Sequence, residues 1–218
     1  MDKNLDDLFS LLKISDHPEQ NIEKNDELNE KYERSENKKW IKIIPLNDIT
    51  DFNKYDKKEF FILVSEVILD TENKRKTLIK FIPKISVQDF NSKTEWLYLF
   101  TINNKIVKIG GTRVGLKGRT SSYLCGHHVR ERGKSGDCSK TNGFVYNTFE
   151  FYLRQGYEIK MYGYKLPETK TEVKIFEKDF KVITQSYHIY ESVFLDSFKK
   201  KYEEYPVLNN NSDPKYKN

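Results

Sequence analysis

Trp96 to Arg119 reads WLYLFTINNKIVKIGGTRVGLKGR, and this stretch decides the fold. Two apolar runs flank a short asparagine turn, the pattern of a β-hairpin. In the first run Leu97 and Leu99 fall on one face, Tyr98 and Phe100 on the other. In the second, Val107 and Ile109 share a face, and Ile106 and Lys108 share the opposite one. Matching the aliphatic faces sets Tyr98 on the same face as Lys108. That match needs an odd-numbered loop, Ile102-Asn103-Asn104, with an asparagine adopting positive φ. The second strand runs into Gly110-Gly111, and a glycine- and arginine-rich segment then delivers Arg119.

Charge is distributed unevenly around this hairpin. Residues 1–36 hold 5 Lys/Arg and 11 Asp/Glu, a net of −6, so the remainder of a chain of net charge +5 carries +11. Residues 103–140 hold 9 Lys/Arg, 2 Asp/Glu and 7 of the 10 glycines. Such a segment brings backbone N–H groups and cations close to phosphate, although a solvated basic loop has the same composition. Arg113, Lys117, His127, His128, Arg130, Arg132 and Lys134 are its candidate DNA contacts. No apolar run approaches the ~18 residues of a membrane span. The acidic start is not a secretory signal, and two cysteines without such a signal fit a reducing, cytoplasmic setting. Cys125, His127, His128 and Cys138 lack the paired spacing of a zinc site.

The rest of the chain supplies supporting elements. Residues 1–39 read as an acidic amphipathic helix (Leu5, Leu8, Leu12) and linker. Residues 40–94 read as a β-rich supporting or specificity segment, with strands near 40–44, 59–69 and 77–83 and a turn at Asn73-Lys74-Arg75. A helix is expected over 142–155, a strand over 157–165, a strand or hairpin over 172–183, and a helix over 186–205. That last helix turns Tyr190, Val193, Phe194 and Phe198 inward. It also sets Glu191 three and four residues from Phe194 and Leu195, at the border of the apolar face. The tail Pro206-Val207-Leu208-Asn209 contributes an amide, most naturally Asn209, with Asn210 and Asn211 as alternatives.

The order Tyr98, Lys108-Ile109-Gly110, Arg119, Glu191, Asn209 resembles the GIY-YIG nuclease superfamily over residues 95–213. The first motif's Gly-Ile is replaced by Trp96-Leu97. Lysine stands where the second motif commonly has tyrosine, as in a branch of small type II restriction enzymes. The resemblance implies an α+β fold, with a small mixed or antiparallel central sheet flanked by helices and extended at its N-terminus by helical and β segments. It implies catalytic roles for Tyr98, Lys108, Arg119, Glu191 and Asn209, with Glu191 holding Mg²⁺ or Mn²⁺. The implied activity is sequence-specific cleavage of double-stranded DNA by a homodimer. Phage or mobile-element endonucleases of the superfamily usually add a DNA-binding tail, and only a few residues follow Asn211 here. An inactive DNA-binding module is opposed by the full set of Tyr, Lys, Arg and Glu.

The chemistry matches those residue types. Phosphodiester hydrolysis requires an activated water and stabilisation of charge on phosphate and leaving group. A free tyrosine, with a pKa of about 10, is a poor base. A cation beside it, for which Lys108 is the candidate, favours the phenolate. Arginine forks onto phosphate oxygens, and a single carboxylate suits a hydrated divalent cation.

Overall fold

The structure, a computed structural model, describes residues 41–72, 77–126 and 139–209. The acidic N-terminal segment, Trp40, the turn at Asn73-Lys74-Arg75, and His127, His128, Arg130, Arg132, Lys134 and Cys138 lie outside the described residues.

The described chain is α+β, as the sequence implies. Strands β1 (Ile62–Leu69), β2 (Ile79–Pro83), β3 (Trp96–Ile102), β4 (Lys105–Thr112) and β5 (Ile159–Lys165) form one sheet in the order β2-β1-β5-β3-β4. Each neighbouring pair is antiparallel. Helices α1 (Val87–Asn91), α2 (Gly115–Leu124), α3 (Lys140–Arg154) and α4 (Tyr187–Tyr202) surround it, and β6 (Thr169–Ile175) and β7 (Lys178–Thr184) make a separate two-stranded ribbon. Residues 41–45 are not a strand. They run along α3 instead: Lys42 N–H donates to Thr148 Oγ1 at 2.9 Å and Ile44 N–H to Tyr152 Oη at 2.8 Å.

The central hairpin reaches the expected face match by a different route. The loop is the two-residue turn Asn103-Asn104, both at positive φ (44° and 62°), the left-handed pair that joins twisted strands. The odd residue comes from a bulge: Phe100 pairs with Lys108, but Thr101 pairs with Ile106, so Val107 is the extra residue. The bulge also turns Ile106, rather than Val107, onto the face of Leu97, Leu99 and Ile109. Tyr98, Phe100, Lys108 and Gly110 share the opposite face.

The two faces are covered differently. Leu97, Leu99, Ile106 and Ile109 pack against Phe194, Leu195 and Phe198 of α4. Val193, expected inward, is 57% exposed, because the helix turns its 191/194/195/198 row to the sheet instead. On the other face Phe100 meets Tyr123 of α2 and Phe149 of α3 at ring-centroid distances of 5.5 and 4.9 Å. The start of α4 is fixed by Glu95, directly before β3. Its Oε2 accepts from Ser186 N–H at 2.9 Å and from Ser186 Oγ at 3.0 Å. A carboxylate there satisfies an orphan donor and complements the helix dipole.

Candidate active site

Tyr98, Arg119 and Tyr123 form a closed triangle. Arg119 lies one helical turn before Tyr123 on α2, so both side chains reach the same spot over Tyr98 of β3. The two phenolic oxygens are 2.7 Å apart. Arg119 Nε donates to Tyr98 Oη at 2.7 Å and Arg119 Nη2 to Tyr123 Oη at 2.9 Å. The guanidinium carbon also lies 4.4 Å from the Tyr123 ring centroid, a cation–π distance. Both phenols are fully buried. Burial pushes the Tyr98 hydroxyl above its ordinary pKa, while the Arg119 charge and the Tyr123 hydrogen bond oppose that rise. Burial likewise raises Tyr123 well above its usual value, helped by Tyr98. For Arg119 burial works against the charge, but the two phenols outweigh it and hold the guanidinium firmly protonated.

Gly110 and Gly111 make room for this group. A Cβ at Gly110 would collide with the Tyr98 hydroxyl and stand 2.6 Å from Tyr98 Cζ. A Cβ at Gly111 would stand 2.8 Å from the Tyr187 ring and 3.0 Å from Glu191 Oε2. The two glycines therefore let β4 pass between the phenol on one face and α4 on the other. Gly110→Ala is expected to cost about 1–3 kcal/mol of stability, the scale of overpacking a filled core. Because the displaced atom is the phenolic oxygen, the cleavage that the resemblance implies should fall much further than stability. Unfolding curves and single-turnover rates on one preparation check both, and a rate within twofold of the parent would contradict this account.

Glu191 and Asn209 both sit on the outer edge of β4. The strand is the last in the sheet, so its outward N–H and C=O groups need other partners. Asn209 takes one set: its Oδ1 accepts from Ile109 N–H at 2.9 Å and its Nδ2 donates to Ile109 O at 2.6 Å. Glu191 Oε2 accepts from Gly111 N–H at 2.8 Å. Asn209 thus docks the chain after α4 onto the edge strand through a buried side chain.

Lys108 does not pair with Tyr98. Its ammonium donates to Leu208 O at 3.1 Å, and it is buried. Burial, seconded by the Arg119 charge and opposed by Glu191, lowers its pKa to about 8. The cation that opposes the rise of the phenol is therefore Arg119, where the sequence pattern had assigned that task to Lys108. A free lysine keeps its proton to about pH 10.4, so above pH 8 the unfolded chain holds a proton that the folded chain releases. Stability from this site is lowest below pH 8 and rises with pH through that window. Lys108→Met is accordingly expected to be more stable at pH 7 by about 2 kcal/mol, with the gain vanishing towards pH 10. Urea titrations at pH 7 and pH 9.5 measure it; equal differences at the two values would contradict the buried-charge account.

Of the remaining expected contacts, Arg113 is exposed and its Nη1 donates to Gln185 Oε1 at 3.2 Å; Lys117 is exposed on α2. Tyr123 is the site residue that the sequence reading passed over. Among the described residues no three His, Cys, Asp or Glu side chains group together as metal ligands. A lone carboxylate with one oxygen already oriented fits a hard divalent cation that keeps most of its waters.

No protein-family model and no curated protein sequence matches the chain. Among solved structures it is similar to the restriction endonuclease HPY188I in complex with product DNA. That similarity has 27% identity and a TM-score of 0.50, covering 74% of this chain and 87% of that one. A second likeness, to bacteriophage T4 EndoII in a mutant form, has 17% identity and a TM-score of 0.47, covering 69% of this chain and 96% of that one.

Proposed function

We propose that this chain is an endonuclease that hydrolyses phosphodiester bonds in double-stranded DNA. In finer terms, we read it as a metal-dependent type II restriction enzyme of GIY-YIG character that acts as a homodimer. The Tyr98–Arg119–Tyr123 triangle at the edge strand that also holds Glu191 carries the reading. Its similarity to a restriction endonuclease solved with product DNA supports the substrate class.

The triangle suits proton transfer beside phosphate. Two of the five guanidinium N–H groups of Arg119 hold the phenols, leaving three to fork onto phosphate oxygens. Burial keeps Tyr98 a neutral phenol at rest, so it acts as a relay rather than as a standing phenolate. Tyr98 would accept the proton of the attacking water as its own hydroxyl proton passes along the 2.7 Å bond to Tyr123, and the Tyr123 hydroxyl proton would pass to an oxygen of the phosphate that Arg119 holds beside it. Glu191 would hold Mg²⁺ or Mn²⁺, which supplies charge stabilisation at the leaving oxygen when bound. Lys108 adds a positive charge to the same field, and Asn209 fixes the edge strand that presents Gly110 and Gly111. Base reading is assigned to the basic segment 123–140, with Arg130 and Arg132 as candidates for guanine contacts.

Incubation with plasmid DNA, with and without Mg²⁺, followed by sequencing of the ends, tests this. Discrete ends at a recurring, near-palindromic sequence are expected, and none in EDTA. Scattered nicks would remove the restriction-enzyme reading, and intact plasmid in every divalent metal would remove the nuclease reading.

A further inference from the structure

The ribbon β6–β7 has no partner in the described fold, since every residue of both strands is exposed. A two-stranded hairpin alone is marginally stable in water. Its register sorts the side chains sharply. Thr171 faces Val182, Val173 faces Phe180 and Ile175 faces Lys178 on one side; Glu172 faces Lys181 and Lys174 faces Asp179 on the other. One face is thus an apolar strip of Val173, Ile175, Phe180 and Val182, and the other is charged. At the tip Phe176 is 94% exposed with φ 54°, a left-handed conformation uncommon for a bulky residue.

The charge pattern selects the occupant. Residues 168–184 hold four lysines and four carboxylates, net zero, on a chain whose residues 37–218 carry +11. Lys181 pairs with Glu172 at 3.5 Å and Lys170 with Glu168 at 3.6 Å. Lysines neutralised in this way are poor phosphate contacts, so nucleic acid gains little here. Two copies of a chain of net charge +5 repel where their basic segments meet, and the neutral ribbon is where they approach at least electrostatic cost.

We propose that the apolar face of the ribbon docks on the same face of a second copy, forming an isologous contact. This deepens the homodimer reading above, and its test does not depend on cleavage activity. A seven-rung ribbon is about 24 Å long, and its face falls well short of the area of a standard interface. Self-association is therefore expected in the range of about 10–100 µM.

The test is sedimentation velocity of the full chain between 1 and 200 µM. The parent should pass from monomer to dimer across that range. Phe180→Lys and Phe180→Glu should each stay monomeric with unchanged circular dichroism, and an equimolar mixture of the two should regain the dimer. Ile183→Lys, on the charged face, should associate like the parent. A parent that stays monomeric throughout overturns the proposal, as do Phe180 variants that associate normally. Monomeric variants that mixing does not restore would place the contact against a different surface and overturn it too. Parent-like association of Phe180→Lys together with weakened retention of DNA would assign the ribbon to nucleic acid instead.

Discussion

Tyr98→Phe is expected to lower the single-turnover cleavage rate by about 10³-fold while leaving the fold intact, the size of effect seen when a proton-transfer group is removed. The phenyl ring fills the same buried space, where Tyr98 packs edge-on against Phe100 and Tyr123 at 5.7 and 6.3 Å. Only the oxygen is lost, and with it the acceptor for Arg119 Nε and the short link to Tyr123. Two donors or acceptors left unsatisfied in a buried setting cost about 1–3 kcal/mol, so a modest drop in melting temperature accompanies the loss of rate. Tyr123→Phe provides the contrast. It removes the second member of the relay but leaves Arg119 on Tyr98, and a smaller loss of about 10-fold is expected. DNA affinity, measured in Ca²⁺ to suppress cleavage, should be unchanged in both variants, because neither phenol carries charge at rest. If Tyr98→Phe cleaves within a few-fold of the parent, the phenol is neither base nor relay, and its place in the triangle is purely structural.

How much of this was legible in the sequence depends on the interaction range involved. The hairpin of β3 and β4 was readable, because its strands are long, apolar and joined by residues that accept positive φ. Its parity was readable too: the demand for an odd residue is met by the bulge at Val107 rather than by the loop. A bulge has no strong local signature, so the sequence could state the demand but not where it would be met. Residues 115–124 were read as a glycine-rich basic segment, yet they form α2. Gly115 and Gly118 lower the local propensity, and the helix stands because Leu116, Thr120 and Tyr123 are buried against the sheet. Missing the helix meant missing Tyr123, since its tie to Arg119 exists only at helical spacing. The assignment of Lys108 to the phenol failed for a related reason. Sharing a face is a property of register, but reach is set by the edge of the sheet, where Leu208 O captures the ammonium first. Asn209 cannot be separated from Asn210 and Asn211 in sequence; Asn210 and Asn211 lie outside the described residues, and Asn209 exchanges one hydrogen bond each way with the backbone of Ile109 on the edge strand.

The other large effect concerns the carboxylate. Glu191→Gln is expected to abolish cleavage in Mg²⁺, a loss of at least ~10³-fold for several kcal/mol of charge stabilisation at the leaving oxygen. Glutamine keeps the shape and an oxygen to accept from Gly111 N–H, so α4 should remain docked on the edge strand and melting should shift little. What is lost is the negative charge, and with it the hard ligand for a hydrated cation. The same charge opposes the lowering of the Lys108 pKa and adds to the rise at Tyr98. Its removal should therefore move both groups downward, which gives a readout that does not depend on turnover. In the variant the pH window over which Lys108 gains or loses its proton lies lower than the parent's value of about 8, and urea titrations against pH will detect the displacement. DNA binding without metal should be equal or tighter, because removing an anion beside the phosphate path cannot weaken attraction to phosphate. Two results separate the possible failures. Persistent cleavage by Glu191→Gln in Mg²⁺ would show that the cation, if used, is held elsewhere. Loss of DNA binding together with loss of cleavage would show that the carboxylate holds the edge strand in place and that its role is architectural.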